Sequence, residues 1–263
     1  MLIPTSLKMP PKVNFLIFIC FISFSCKENS KPLIIGHRGA KGHVAENTIP
    51  SIKYAIDLGA NGVEIDIFRC KSGEIVVFHD NNLKKILNVN LCIEDLDLKK
   101  IKSFRIENKY TIPTLEEILS LELDDLILNI ELKGKGTAIP TIEILRKYFK
   151  NKLINEENIL ISSFDWDELL VLRSKSQKIP IGVLIDGNPL FALKFAKEVE
   201  AMSINSDYKF LNKKNVDLVN AEGYKLFPYT VNDEDEMKKL ISIGVDGIIT
   251  DYPDKLKNIL NYF

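Results

Sequence analysis

Histidine is scarce in this chain: three residues in 263, at positions 37, 43 and 79. Cysteine offers little more, because Cys20 and Cys26 fall in an N-terminal leader, and the spacing of the remaining Cys70 and Cys92 matches no zinc pattern. No zinc module is expected, and the last two thiols are read either as buried cysteines or as one disulfide of an exported protein. No basic block or arginine-rich helix follows the leader, and 35 Lys and Arg against 36 Asp and Glu leave a net charge of -1. That balance argues against nucleic acid as a partner. The apolar run of the leader is shorter than the roughly 20 residues that favour a spanning helix. Beyond an alternation of strands and helices, no internal repeat is evident.

The leader itself is distinct in kind. Lys8 and Lys12 precede "VNFLIFICFISFSC" (13–26), and the polar "KENSKP" (27–32) follows. A basic start, a short apolar run and a small residue before a break form the pattern of a secretory signal. Ending the run on Ser25-Cys26 resembles a bacterial lipoprotein signal, with Cys26 as the acylated first residue. An ordinary cleaved signal and an uncleaved anchor remain alternatives, and Ser23 stands where such signals usually carry an aliphatic residue. The expected organisation is a signal peptide over 1–26, a tether over 27–32 and one domain over 33–263. The expected location is the periplasm or cell envelope.

With 46% hydrophobic and 27% charged residues, that domain has material for one sizeable core. Apolar, β-branched runs recur at 33–37, 62–68, 126–132, 158–164, 179–186, 201–205, 225–230 and 244–250. Segments with helical spacing lie between them, such as "NTIPSIKYAIDLG" and "AIPTIEILRKYFK". Strands that alternate with helices give βαβ units and a parallel sheet, and eight pairs match a (β/α)₈ TIM barrel. The stretch from Cys70 to Ile112 fits no unit. It is read as a hairpin after strand two, "EIVVFHD", followed by a short polar insertion on the face where barrel active sites sit.

Chemistry concentrates at strand ends. In "GVEIDIF", Glu64 and Asp66 are two apart and face one way; the same holds for Glu131 and Lys133 in "NIELKG". Carboxylates gathered at one mouth repel unless a cation sits among them, and an all-oxygen set suits Mg²⁺ or Ca²⁺ better than zinc. The alternative is a barrel interior closed by salt bridges to Arg38 or Lys133. His37 in "LIIGHRG" and His79 in "EIVVFHD" both end apolar strands and suit an acid/base pair. Arg38 offers a planar fork for phosphate oxygens. His43, in a glycine-flanked loop, receives no role.

The segments "GHRGA", "AENT", "GVEIDI", "VFHD", "IPTLEE", "NIELK", "SSFD", "YTVN" and "GIITDYP" fall in the order seen in glycerophosphodiester phosphodiesterases, which the chain resembles from Leu33 to its C-terminus. The resemblance implies a TIM barrel and one divalent cation, Ca²⁺ or Mg²⁺, on Glu64, Asp66 and Glu131. It further implies acid/base roles for His37 and His79, phosphate contacts from Arg38 with Lys133 nearby, and Glu46 close to metal or substrate. The substrate implied is a small glycerophosphodiester, cleaved to an alcohol and glycerol 3-phosphate. A lysophospholipase D or phospholipase C-like activity and a non-catalytic binding lipoprotein are the other readings. Departures from the family pattern are "NNLKKILN" after His79-Asp80, where many members carry an "LxRTT" segment, and Tyr229 where tryptophan is frequent.

Overall fold

The computed structural model describes residues 31–123 and 126–262. The expected signal peptide, with Cys26, and most of the expected tether lie outside the described residues. The strands are β1 (Leu33–Gly36), β2 (Gly62–Arg69), β3 (Ile75–Val77), β4 (Ile127–Leu132), β5 (Ile159–Ser163), β6 (Ile181–Ile185), β7 (Ser203–Ser206), β8 (Lys225–Leu226) and β9 (Gly247–Thr250). All but β3 run parallel, in the order β8-β7-β6-β5-β4-β2-β1-β9, and β3 pairs antiparallel with β2. Pro228 has no N–H to give, which cuts the ladder of the expected strand 225–230 short. The seam is bridged all the same: Asp246 N–H donates to Leu226 O at 3.1 Å, and Ile249 N–H to Pro228 O at 2.9 Å. The eight-stranded barrel expected from the alternation is therefore nearly closed.

Each barrel strand is followed by a helix that returns along the outside, from Ile49–Asp57 after β1 to Pro253–Leu260 after β9. Local chemistry starts them where barrel geometry needs them. Thr48 caps the first through Ser51 N–H, and Thr114 and Glu117 form a reciprocal capping box before Leu115–Leu119. Among the described residues no helix is long and apolar enough to cross a membrane.

The alternation of each strand divides the core in two. Val63, Ile65, Ile67, Leu128, Ile130, Ile161, Val183 and Ile248 face the helices in the main cluster. Ile35, Leu160, Phe227 and Ile249 form a second cluster inside the barrel. Above that apolar floor, toward the C-terminal strand ends, the interior turns polar with Glu64, Asp66, Asn129, Ser162 and Asn205, all buried. The site is built on this layer.

The stretch after β2 departs from expectation. The hairpin is present, but the remainder is more than a polar loop. Leu83, Ile93, Ile101, Ile106 and Ile112 join Phe68, Cys70, Val76 and Phe78 in a separate apolar cluster. Its apolar residues are spread singly among Asn and Lys, so neither helical nor strand periodicity betrays it. Among the described residues both thiols of this region are free, with Cys70 buried at 3.3 Å from a Glu74 oxygen. Truncating the fully buried Ile101 with Ile101→Ala should cost about 2–5 kcal/mol. The check is a lower urea midpoint at unchanged slope.

Candidate active site

His37 and Arg38 leave β1 where the chain turns sharply. Arg38 adopts a left-handed backbone with φ 51° and Gly39 follows with φ 82°. A β-carbon on Gly39 would lie 2.5 Å from the Ser51 carbonyl carbon, so glycine is required there. Three hydrogen bonds offset the Arg38 strain. Its N–H donates to Glu64 Oε2 at 3.0 Å, and its carbonyl accepts from Asn47 N–H and Ser51 Oγ, each at 3.0 Å.

Register then assembles the acids. Asp66 pairs with Glu131 across β2 and β4, and Glu64 sits one inward position earlier. One oxygen of each of Glu64, Asp66 and Glu131 lies within 4.8 Å of the other two. Arg38 stands beside them, with Nη1 2.7 Å from Glu46 Oε1 and Nε 3.2 Å from Asp66 Oδ2. Lys133 Nζ lies 2.8 Å from Glu131 Oε1, 3.8 Å from Asp66 Oδ1 and 3.4 Å from His79 Nε2. The structure thus brings all eight expected residues, Glu46 included, to one mouth.

The salt bridges form, yet they do not close the cluster. Three carboxylates face two cations, and Glu64 Oε1 is buried with no hydrogen-bond partner among the described residues. Burial, then Asp66 and Glu131, push the Glu64 carboxyl well above the carboxylate range. Burial and Asp66 likewise raise Glu131 to about 7. An orphaned, buried oxygen beside two further carboxylates fits a hard divalent cation, which Glu64, Asp66 and Glu131 would hold.

The histidines are oriented alike from opposite sides. His37 Nδ1 lies 2.6 Å from Asp251 Oδ1, and His79 Nδ1 lies 2.7 Å from Asp80 Oδ1. In each case Nδ1 carries the proton toward the acid and Nε2 is left for the mouth. His37 Nε2 is 4.0 Å from Glu64 Oε2. Burial lowers both histidine pKa values, which favours the neutral imidazole. Asp251 is itself held by Asn232, whose Nδ2 donates to Asp251 Oδ2 at 2.7 Å and whose Oδ1 accepts the Asp251 N–H at 2.9 Å.

Three of these supports were not singled out from sequence. Asp251 and Asp80 stand in the quoted "ITDYP" and "FHD", and Asn47 follows Glu46 in "AENT". Asn47, buried in the left-handed region at φ 56°, grips Asp66 at both ends: Nδ2 donates to Oδ2 at 2.8 Å, and Oδ1 accepts the Asp66 N–H at 3.2 Å. An asparagine tolerates that backbone at little cost, which was the available signal. His43 makes a peripheral contact, 2.8 Å from Asp254 and edge-on to Tyr54 and Tyr252.

Raised carboxyl pKa values have a consequence for stability. Between pH 4.5 and 7 the folded, metal-free chain holds a proton on Glu131 that the unfolded chain releases, so stability falls as pH rises through that window. The Glu131 contribution is on the order of 3 kcal/mol. Thermal melts with chelator should show this decline; Ca²⁺ or Mg²⁺ should remove it and raise Tm most at pH 7 and above.

Comparison with known proteins agrees with this geometry. The model of the glycerophosphoryl diester phosphodiesterase family matches residues 37–255. A glycerophosphodiester phosphodiesterase of Caldanaerobacter subterraneus subsp. tengcongensis is 36% identical over 239 residues, which cover 88% of this chain and 98% of that protein. A lysophospholipase D of Mus musculus is 27% identical, over 87% of this chain and 86% of its own length. Among solved structures, an Oleispira antarctica phosphodiesterase in complex with the product sn-glycerol-3-phosphate superimposes with a TM-score of 0.81 at 27% identity, covering 88% of this chain and 97% of that one. This chain belongs to the glycerophosphoryl diester phosphodiesterase family.

Proposed function

We infer that the chain is a phosphoric diester hydrolase that cleaves glycerophosphodiesters to an alcohol and glycerol 3-phosphate, dependent on one divalent cation, Ca²⁺ or Mg²⁺. The observation that carries this reading is two Asp-oriented imidazoles converging on a carboxylate cluster with an orphaned oxygen, beside a buried arginine. When bound, the cation supplies Lewis-acid charge to phosphate oxygens. Arg38, pinned by Glu46 and Asp66, presents its guanidinium to the same phosphate, and Lys133 adds a second positive charge.

His37 takes the proton at Nε2 from the nucleophile, which is water or a neighbouring glycerol hydroxyl; in the second case the cyclic phosphate that forms is then opened by water to give glycerol 3-phosphate. This histidine is the more buried of the two and has Asp251 behind it to stabilise the imidazolium that forms. His79, more exposed at the mouth, delivers a proton to the alcohol oxygen as its bond to phosphorus breaks. An anionic phosphodiester beside His79 favours the protonated form that this step needs. Family membership and the retention of both histidines and all three acids count against a non-catalytic binding protein. Export to the cell envelope, with Cys26 acylated, rests on the leader sequence; loss of metabolic fatty-acid labelling in Cys26→Ser is its test.

Release of glycerol 3-phosphate from glycerophosphocholine should be abolished by chelator and restored by one of the two cations. His37→Ala and His79→Ala should each lower kcat by about 10²-fold or more. A His79→Ala variant with wild-type turnover overturns its role. Asp251→Asn should lower kcat by about tenfold or more at little change in KM, because the imidazole loses the partner that sets its tautomer.

A further inference from the structure

Exposed apolar side chains are unevenly placed on this barrel. Ile139, Phe164, Phe191 and Phe210 are 46%, 44%, 75% and 47% exposed. Phe164, Phe191 and Phe210 stand on the turns that leave β5, β6 and β7, and Ile139 stands in the first turn of the helix Ala138–Lys150 that follows β4; the four strands are consecutive around the barrel. The four therefore line one side of the mouth. The side formed after β3 carries Asn81, Asn82, Lys84 and Lys85, with Leu91 as its exposed large apolar residue.

Two of these rings are held out by built turns. After β6, Asn188 Oδ1 accepts the Leu190 N–H at 3.1 Å, and Phe191 N–H donates to Asn188 O at 3.1 Å. After β7, Asp207 Oδ1 accepts the Lys209 N–H at 3.0 Å, and Phe210 N–H donates to Asp207 O at 3.1 Å. Ordered turns that lift a phenylalanine into water cost stability unless something covers the ring. At the inner end, Phe164 meets Tyr229 edge-on at 5.8 Å and lies 5.9 Å from Lys133 Nζ, so this ring borders the catalytic mouth. Exposed Lys135, Lys194 and Lys209 flank the tips in sequence.

We propose that this strip is a lipid-docking surface, through which the mouth settles on the headgroup–acyl boundary of a lipid aggregate and takes diesters presented there. The proposal deepens the phosphodiesterase reading and rests on it for the chemistry. Aromatic rings suit that boundary, where they enter the acyl edge, and the flanking charge is mixed, with Lys135, Lys194 and Lys209 beside Asp165, Asp186 and Asp207. A second copy of the chain seated on the strip would obstruct a catalytic mouth, whereas a lipid surface supplies substrate to it.

The test uses residues 31–263, whose core is complete and whose extent corresponds to nearly the whole of a relative. Binding is measured by flotation with vesicles of phosphatidylcholine, with and without phosphatidylglycerol, in a His37→Ala background. Failure of the catalytic reading then leaves the binding result intact. Flotation that is at least tenfold weaker in Phe191→Ser/Phe210→Ser is the expected result. Phe191→Ser alone should show a smaller loss in the same direction. Without the His37 change, the double variant should hydrolyse water-soluble glycerophosphocholine at the wild-type rate. Leu153→Ser/Tyr262→Ser, which removes exposed apolar residues at the other end of the barrel, should float like the parent. No flotation of the parent overturns the proposal. So does an equal loss in the Leu153/Tyr262 pair, or a Phe191-dependent dimer in place of vesicle binding.

Discussion

Three carboxylates packed into the barrel interior are the constraint around which the rest of the site is arranged. Glu64, Asp66 and Glu131 are brought together by strand register alone, since Asp66 lies opposite Glu131 and Glu64 sits two residues earlier on the same face. Their repulsion in a low-dielectric interior would be severe. The neighbouring sequence answers it with Arg38, whose backbone N–H and guanidinium serve Glu64 and Asp66, and with Lys133 against Glu131. The left-handed conformation of Arg38 follows from that demand. A β-region residue could not direct its N–H to Glu64 while its carbonyl serves Asn47 and Ser51. Charge compensation stops one cation short, and Glu64 Oε1 marks where.

The acid/base pair depends on barrel geometry in a second way. His37 and Asp251 belong to turns after β1 and β9, which are far apart in sequence and adjacent through the register that pairs Gly36 with Thr250. His79 comes from the other side, on the hairpin that β3 adds to β2, and finds its acid in the next residue. One imidazole is thus positioned by barrel closure and the other by an appendage with its own small core. That division explains why the insertion carries buried isoleucines: a histidine on an unsupported loop would not hold its Nε2 toward Lys133.

Much of this was legible in the sequence because strand chemistry has period two. The spacing of Glu64 and Asp66, and of Glu131 and Lys133, states which side chains share a face, and eight alternations state a barrel. Partners from distant strands were less legible: an eight-stranded barrel puts the last strand beside the first, but nothing local to Asp251 reveals the register that brings it to His37. The insertion core was hidden because its apolar residues belong to no single helix or strand. The exposed rings were hidden for a related reason. An apolar residue in a turn reads as buried until the turn is seen to point it outward, as the Asn188 and Asp207 hydrogen bonds do for Phe191 and Phe210.

The two ends of the barrel therefore obey different economies. Toward the N-terminal strand ends, Ile35, Leu160, Phe227 and Ile249 fill the interior with apolar bulk, and chain entry is tied to the last helix through Lys31 and Leu260. Toward the C-terminal ends the same strands bury like charges, strain an arginine and lift aromatic rings into solvent. Each of these features lowers the stability of the metal-free, isolated chain. Their concentration at one end is possible because the apolar floor and the helix-facing core stabilise the barrel independently of what its mouth contains. A mouth with one carboxylate oxygen unpaired and one rim apolar is incomplete as a piece of folded protein, and the two deficits call for different complements: a cation for the first, a water-excluding surface for the second.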